Sequence, residues 1–277
     1  MRSYKMQKTK IFAWLLAFSF SFALVSNCSA EKRASEIYLD AATANIDHSM
    51  VRGPRRIALG GGAELTLTKD ECFVGTGPTV QFFHALGQAG DSRVGAGMVY
   101  SCGLFSEADW FVLLTIRHDG HVNETARTWT ADNILHSLQA EVTAANAFSK
   151  QRGRPSVEIS GWMLPPVYDA AAHNLAWAVT IKAGCSSGCS ASEQVSYEAV
   201  VLGRSGYVDV FIQPSLNDFP KQKRIADDVR AHIRYMPTAQ YTDFKPLVDQ
   251  SAPYDLTSLL TGRKSDKITS KFRRRQN

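Results

Sequence analysis

The 277-residue sequence contains no apolar run long enough to span a membrane. Its longest run, Ile11 to Val25, has fifteen residues, whereas a spanning helix needs roughly 20. The chain also lacks Pro- or Ser-rich linkers, low-complexity tracts and internal repeats. These absences favour one compact domain over a solenoid or a set of tethered modules.

The motifs that identify metal and nucleotide sites are missing as well. Structural zinc sites are commonly built from two cysteine pairs, each closely spaced in sequence, and this sequence does not contain two such pairs. The segment Gly75-Thr76-Gly77 precedes a predicted helix, but it lacks the third glycine and the Lys-Ser/Thr that make phosphate-binding loops specific. We therefore predict neither a metal nor a cofactor.

The N-terminus has the pattern of an export signal. The basic residues Arg2, Lys5, Lys8 and Lys10 precede the apolar run, and the small residues Cys28-Ser29-Ala30 follow it. We predict a signal peptide over residues 1–30, cleaved after Ala30, and a bacterial protein that is periplasmic or secreted. Two alternatives remain, an uncleaved anchor and a lipoprotein acylated on Cys28, although Asn27 fits the lipoprotein signal poorly.

Charge is unevenly distributed along the chain. The formal net charge is +5, of which the signal peptide carries +4. From Arg263 onward seven Lys and Arg residues face only Asp266, which gives this tail +6 and leaves the body close to −5. Because no basic face is predicted in the body, we do not expect nucleic-acid binding. The tail is either a solvated segment or a peripheral contact with an anionic membrane.

Four cysteines remain after cleavage, and an even number in an exported chain favours disulfides. Four cysteines allow three connectivities. Cys185 and Cys189 are separated by three small residues that a local loop closes easily, so we favour that pair together with Cys72 and Cys102.

The period of the apolar residues predicts an α+β fold, a largely antiparallel sheet with packed helices in a single domain over residues 56–250. Residues 31–55 are expected to be a flexible lead-in and residues 251–277 a basic polar tail. The run Trp110 to Ile116 predicts a central strand that turns at the hairpin dipeptide Asp119-Gly120. A long helix is predicted from Ala131 to about Gln151, with Thr130 as N-cap. After this helix we predict four strands and a last helix near Pro220. The strands cover residues 156–163, 174–182, 195–202 and 207–213.

Several candidate catalytic or binding residues are better explained by a structural role. His118-Asp119-Gly120-His121 is typical of a turn, and Asp169 and His173 flank a predicted hairpin tip. Gly184-Cys185-Ser186-Ser187-Gly188 matches the nucleophile-elbow string, but strands rather than a strand and a helix flank it. Large aromatic residues at strand positions are more typical of a core than of a binding patch; here they are Trp162, Tyr168 and Trp177.

A set of residues spread along the chain, from about Ile57 to Gly262, forms a recognisable pattern. It includes Ala108-Asp109-Trp110-Phe111, Asn146, Arg152, Gly161-Trp162, Pro165-Pro166, Tyr168-Asp169, His173, Leu175, Trp177, Tyr197, Leu202-Gly203-Arg204, Gly206, Tyr241 and Asp243-Phe244. This pattern resembles a bacterial family of predicted membrane-anchored proteins with a domain of unknown function. The resemblance implies export but no established reaction or ligand. Members end in a C-terminal membrane helix, whereas a polar basic segment follows Leu259-Leu260 here. The order of elements also resembles the Mog1/PsbP-like α/β/α sandwich, which is an analogy of fold alone.

Two classes of function are compatible with the sequence. We favour a non-catalytic envelope protein whose domain binds another envelope protein or a small ligand. The alternative is a small periplasmic hydrolase that uses His118, Asp169, His173 or Ser186. Convergence of these groups in one place favours the enzyme, and their dispersal favours the binding domain.

Overall fold

The computed structural model describes residues 29–86, 96–124, 130–150, 156–184 and 192–261. The α-helices in these ranges are α1 (Ser29–Ser49), α2 (Thr76–Ala85), α3 (Ala131–Lys150), α4 (Phe219–Ala231) and α5 (Leu256–Thr261). The strands are β1 (Val51–Arg52), β2 (Arg55–Gly60), β3 (Ala63–Leu67), β4 (Glu71–Gly75), β5 (Gly97–Ser101), β6 (Phe111–Arg117), β7 (His121–Asn123), β8 (Val157–Asp169), β9 (Asn174–Ala183), β10 (Ser192–Gly203), β11 (Gly206–Ile212), β12 (Ile233–Tyr235) and β13 (Ser251–Asp255).

Eight strands form one central sheet in the order β1-β4-β5-β6-β11-β10-β9-β8. Every neighbouring pair in it is antiparallel. Strands β8, β9, β10 and β11 form a meander, and β10 and β11 meet in a hairpin at Gly203 and Gly206. The predicted α+β class is therefore confirmed.

The central sheet is covered on both faces. One face packs against α4 and a small sheet of β12, β3 and β2, with Leu65, Val208 and Val229 in their shared core. On the other face, α1 and α2 cover β4 and β5, whereas α3 and α5 cover the strands at the β8 end. The result is a sandwich with the large sheet in the middle, as the sequence predicts.

Helix α3 follows the predicted pattern closely. Ile134, Leu138 and Val142 recur at helical spacing and are buried against the sheet. The backbone N–H of Asn133 donates to Thr130 Oγ1 at 3.2 Å, so Thr130 caps the helix as expected.

The expected flexible lead-in over residues 31–55 is corrected by the structure. Helix α1 occupies most of this segment, and Ala42 and Ile46 are buried. Asp47 Oδ1 accepts a hydrogen bond from the Phe105 backbone N–H at 2.7 Å. The apolar stripe of α1 is narrow and partly built from alanine, so its period is weak in the sequence.

The domain also extends beyond its predicted end at residue 250. Strand β13 and helix α5 pack into the core, where Tyr254, Leu256 and Leu260 are buried. The first part of the predicted polar tail is therefore structured. Residues 262–277, which carry its basic charge, lie outside the described ranges.

The Asp119-Gly120 dipeptide does not close a hairpin in the central sheet. After β6 the chain leaves that sheet, and β7 pairs with β13 in parallel. Gly120 has φ 108°, and a Cβ atom built on it would lie 2.7 Å from the carbonyl oxygen of Gln250. The glycine is required for this close approach of two backbones rather than for a hairpin turn.

The structure contains the expected Cys72–Cys102 disulfide, with a Cα–Cα distance of 4.8 Å. Strands β4 and β5 are neighbours, which brings the two cysteines together. Cys185, Cys189 and Ser186 lie outside the described residues, as do residues 1–28. The predicted cleavage point after Ala30 lies at the second residue of α1.

Candidate functional site

The two neighbouring candidates His118 and Asp119 serve separate contacts. His118 is exposed and lies beside the β2–β3 turn, where a Cβ atom built on Gly61 would meet its imidazole at 2.8 Å. Asp119 Oδ2 accepts a hydrogen bond from the Tyr254 hydroxyl at 2.6 Å. The burial of Tyr254 and this contact raise the pKa of the Tyr254 hydroxyl.

Asp169 and His173 lie at the β8–β9 hairpin, as the sequence predicts, but they are not paired with each other. Asp169 Oδ1 accepts hydrogen bonds from the backbone N–H groups of Ala171 and Ala172 at 2.9 and 3.1 Å. The carboxylate therefore fixes the turn, which is the structural role that we favoured from the sequence. The ring of His173 instead contacts a different part of the chain.

Four ring side chains, His121, His173, Tyr241 and Phe244, stack into one group that we term the histidine–aromatic cluster. The ring centroids of His121 and Phe244 are 3.8 Å apart, with the ring planes 9° from parallel. Tyr241 stacks on His121 at 4.2 Å and on His173 at 4.3 Å. Three segments that are distant in sequence thus converge here.

Two polar side chains border this cluster. Tyr168 donates a hydrogen bond from its hydroxyl to Glu124 Oε2 and lies 3.5 Å from His173 Nδ1. The same His173 nitrogen is 3.8 Å from Glu124 Oε2. Both His173 and Glu124 are partly exposed, so the cluster presents a carboxylate and imidazole beside aromatic faces.

Burial sets the electrostatics of the inner rings. Desolvation lowers the pKa of His121, and a hydrogen bond to the Arg204 carbonyl oxygen partly opposes this shift. Within the described part of the chain, the buried Nδ1 of His121 has no hydrogen-bond partner. Burial also raises the pKa of Tyr241 to about 12, and its hydroxyl donates to the Val122 carbonyl at 2.7 Å. The imidazole of His121 is therefore held neutral near pH 7.

A short loop, residues 245–249, continues directly from Phe244. Arg204 holds it through two parallel hydrogen bonds to Asp249, each 2.8 Å long. The Arg204 guanidinium lowers the pKa of Asp249 to about 2. Two further backbone bonds, from Val248 and Asp249 N–H to the Lys245 carbonyl, close the loop at 3.0 and 2.8 Å.

The three aromatic residues proposed as a patch do not share one surface. Trp177 is buried in the core beneath α3, which agrees with the structural interpretation. Trp162 packs at the border of the same core and donates from Nε1 to the Ala131 carbonyl at 3.1 Å. Only Tyr168 borders the histidine–aromatic cluster.

Comparison with known proteins places the chain in a family. The family model DUF2167, described as a protein of unknown function, matches residues 51–272. The chain belongs to the DUF2167 family. The family suggested by the residue pattern, one with a domain of unknown function, is thus confirmed, whereas membrane anchoring is not shown.

Other comparisons of this DUF2167 chain give little further information. No curated protein is significantly similar to it. Among solved structures it is similar to that of cyanobacterial PsbP (CyanoP) from Synechocystis sp. PCC 6803. The identity is 11% and the TM-score 0.40, with 68% of this chain and 93% of that chain covered.

None of the described helices is both long enough and apolar enough to cross a membrane. Within the same ranges, no three His, Cys, Asp or Glu side chains are grouped so that they could hold a metal ion.

The structure of the DUF2167 domain reveals one polar group that sequence analysis missed. Asp209 pairs with Thr115 across β11 and β6, and Glu198 lies diagonally across β10, so both carboxylates share one sheet face. They lie between the core under α3 and the core under α1 and α2, with Arg117 nearby. Burial raises the pKa of Asp209 to about 7. Burial and the charge of Asp209 also raise the pKa of Glu198.

Nothing in the sequence singles out these two acidic residues. Asp209 is the one charged residue of β11, Glu198 shares β10 with Glu193, and the pair forms only when β10 and β11 come into register. The histidine–aromatic cluster was likewise hidden, because His121 and His173 are 52 positions apart. The available signal in the sequence is that Asp209 and Glu198 occupy strand positions that the alternation of apolar and polar residues assigns to the core.

Proposed function

We propose that this protein is a non-catalytic binding domain of an exported envelope protein, and that it binds a partner protein or small ligand at the histidine–aromatic cluster. The observation that carries the proposal is the convergence of four rings, a carboxylate and a phenol hydroxyl at a partly exposed place. Aromatic faces with a polar rim are typical of recognition surfaces.

The position of the catalytic candidates supports binding over hydrolysis. His118 lies beside a turn, Asp119 is bound to Tyr254, and Asp169 is bound to its own turn. None of these three groups lies beside a second one in an arrangement that activates a nucleophile. A hydrolase that uses them is therefore the weaker candidate.

The proposed location rests on the N-terminal pattern of basic residues, apolar run and small residues. We expect the processed chain to begin at Glu31 and to be recovered from the periplasm or the medium. An acylated Cys28 would instead support the lipoprotein alternative.

Site-specific photo-crosslinking in living cells tests the binding surface. A photoreactive phenylalanine analogue replaces Thr242, which is exposed between Tyr241 and Phe244. The matched control carries the analogue at exposed Arg224, on α4 at the opposite face of the sheet. We expect a discrete adduct from position 242 and none from 224. Identical adducts from both positions, or none from 242, contradict the binding of a partner protein at the cluster.

A further inference from the structure

A row of polar side chains crosses the helix-covered face of the central sheet. Ser196 and Glu198 lie two positions apart on β10, and Val200, two positions further, is directly opposite Asp209 on β11. Alternate residues of a strand share a face, and so do directly opposite residues of neighbouring strands. Ser196, Glu198 and Asp209 therefore lie on one face, and we term them the polar seam.

The polar seam separates two hydrophobic cores. Across its neighbouring strands, Glu198 lies between Phe211, in the core under α1 and α2, and Trp177, in the core under α3. Ser196 is 1% exposed and Asp209 is 8% exposed, whereas Glu198 is partly exposed. The seam is therefore buried at both ends and open to solvent at Glu198.

Two buried atoms of the seam lack a hydrogen bond. Among the residues that the structure describes, Ser196 Oγ and Asp209 Oδ1 have no partner. Native proteins leave few buried polar atoms unpaired, because the desolvation of such an atom is not compensated. Hydroxyl and carboxylate oxygens both accept hydrogen bonds, so a ligand with N–H or O–H donors would satisfy both positions.

The charges of the seam indicate the sign of that ligand. Arg117 is the cation whose charge acts on both carboxylates, Glu198 and Asp209. When both are ionised, one negative charge remains uncompensated. Burial raises the pKa of each carboxyl, as expected where a carboxylate has too little compensating charge. A ligand with a single positive charge would balance the seam.

The donors favour an ammonium group as that charge. No three His, Cys, Asp or Glu side chains within the described ranges are grouped to hold a metal ion. A primary ammonium offers three N–H donors. Glu198 and Asp209 are diagonal neighbours, which places them roughly 7–8 Å apart and lets both carboxylates reach one nitrogen. Ser196 lies about 7 Å from Glu198 along β10, within reach of a second polar group.

We propose that the polar seam binds a small primary amine, with its ammonium group between Glu198 and Asp209 and a second polar group on the Ser196 hydroxyl. The apolar side chains of Phe211 and Trp177 flank Glu198 and suit a short carbon chain that joins the two polar groups. This site shares no residue with the histidine–aromatic cluster, and the inference does not depend on binding there.

Nuclear magnetic resonance titration of the isotope-labelled protein tests the proposal. The probe is aminopentanol, which has an ammonium and a hydroxyl at the two ends of a short carbon chain. Pentanediol lacks its charge, and tetramethylammonium keeps the charge without N–H donors. The titration is run at pH 8, above the pKa of about 7 of Asp209 and below that of an alkyl amine. The amide signals of residues 196–198 and 209 report on the site.

Four variants complete the test. Glu198→Gln and Asp209→Asn each remove one charge and keep the shape, and Ser196→Ala removes the hydroxyl. The matched control is Glu193→Gln, also on β10, where the carboxylate lies on the other face of the sheet and pairs with Lys182 at 2.9 Å. Circular dichroism checks that each variant is folded.

We expect saturable binding of aminopentanol, and binding at least about tenfold weaker for pentanediol and tetramethylammonium. Each carboxylate variant should bind aminopentanol about tenfold more weakly and Ser196→Ala about threefold more weakly, whereas Glu193→Gln should bind like the parent. Absence of saturable shifts at the seam in the parent, equal binding of pentanediol, or unchanged affinity in the folded seam variants contradicts the proposal. Should a carboxylate variant fail to fold, Ser196→Ala and the two comparison ligands decide the outcome.

Discussion

At the scale of single residues, Asp209 is the group whose charge the fold changes most clearly. It is 8% exposed, one carboxylate oxygen has no hydrogen-bond partner among the described residues, and Glu198 and Arg117 are the charged groups that face it. Thr115 and Tyr207 border it on the same sheet face. The two carboxylates therefore compete for protons in a poorly solvated place, and the pair holds a proton at a pH where exposed carboxylates do not.

The variant Asp209→Asn tests this electrostatic effect. The folded-state pKa of Asp209 is raised from 3.8 to about 7, so its protonated form stabilises the fold below pH 4. That stability is lost as the pH rises to 7, a loss of up to about 4 kcal/mol. The melting temperature of the variant relative to the parent should therefore rise from pH 4 to pH 8.

The matched control for that series is Asp109→Asn. The hydrogen bond from Lys221 lowers the pKa of Asp109, an exposed carboxylate, below 3.8, so any stabilisation from this pair is lost only as the pH falls below about 4. The difference between Asp109→Asn and the parent should therefore stay nearly constant between pH 5 and pH 8. Thermal melts at half-unit pH intervals give the comparison. A constant difference between Asp209→Asn and the parent over this range would show that the pKa of Asp209 is the same in the folded and unfolded protein, which contradicts the raised value.

The Cys72–Cys102 disulfide gives a second residue-scale prediction. It closes a loop with a sequence separation of 30, for which chain entropy predicts a stabilisation of roughly 3–4 kcal/mol. Cys72→Ser should lower the melting temperature clearly, whereas Cys185→Ser should change it little because any Cys185–Cys189 loop is short. Free thiols at Cys72 and Cys102 in the unreduced protein would be incompatible with this pairing.

At the scale of elements, α3 protects the free edge of the central sheet. Strand β8 ends the sheet order, so its outer backbone groups have no strand partner within the described residues. The side-chain amide of Asn146 replaces a partner strand at Val157. Its Nδ2 donates to the Val157 carbonyl at 2.6 Å, and its Oδ1 accepts from the Val157 N–H at 2.9 Å. Gln139 adds one bond to the Ile159 carbonyl. The start of this edge, at Val157 and Ile159, is thereby closed to pairing with other chains.

Replacement of this amide tests the role of α3. Asn146→Ala should lower the free energy of unfolding by about 1–3 kcal/mol, because two backbone groups of the edge lose their partners. Gln139→Ala removes a single bond and should cost less. Hydrogen exchange at Val157 should accelerate in the first variant only. Unchanged protection at Val157 in Asn146→Ala would mean that the edge is satisfied in another way.

The elements differ in how far sequence predicts them. Helix α3, the central strand β6 and the β8–β11 meander are predicted, because their apolar residues recur with a strong local period. Helix α1 was missed because its buried stripe is narrow, with Ala42 and Ile46 as the buried residues among those described. The prediction of a hairpin at Asp119-Gly120 was wrong, because the position of Gly120 is set by its contact with residues 250 and 251, far along the chain.

The site is less predictable than the fold for a related reason. His173 was identified at a hairpin tip, yet no local signal relates it to Tyr241 or to Glu124. Such groupings arise from tertiary contacts between distant segments, and a single sequence carries no record of them. Asp169, by contrast, acts within its own turn and its role was predicted.

At the scale of the whole molecule, the histidine–aromatic cluster adjoins the loop of residues 245–249. The histidine–aromatic cluster and the 245–249 loop share Phe244 and Arg204 as neighbours. Among the described candidate catalytic groups, His118, Asp169 and His173 serve separate contacts. This separation supports the proposal of a binding domain rather than a hydrolase.

The most direct test of this account compares two histidines from one turn by using the crosslink from position 242. His121→Asn removes a ring of the cluster, whereas His118→Asn removes an exposed imidazole three residues earlier. With both variants folded and exported, we predict that His121→Asn abolishes the adduct and that His118→Asn retains it. An adduct that survives His121→Asn, or one that is lost only with His118→Asn, would contradict binding at the cluster.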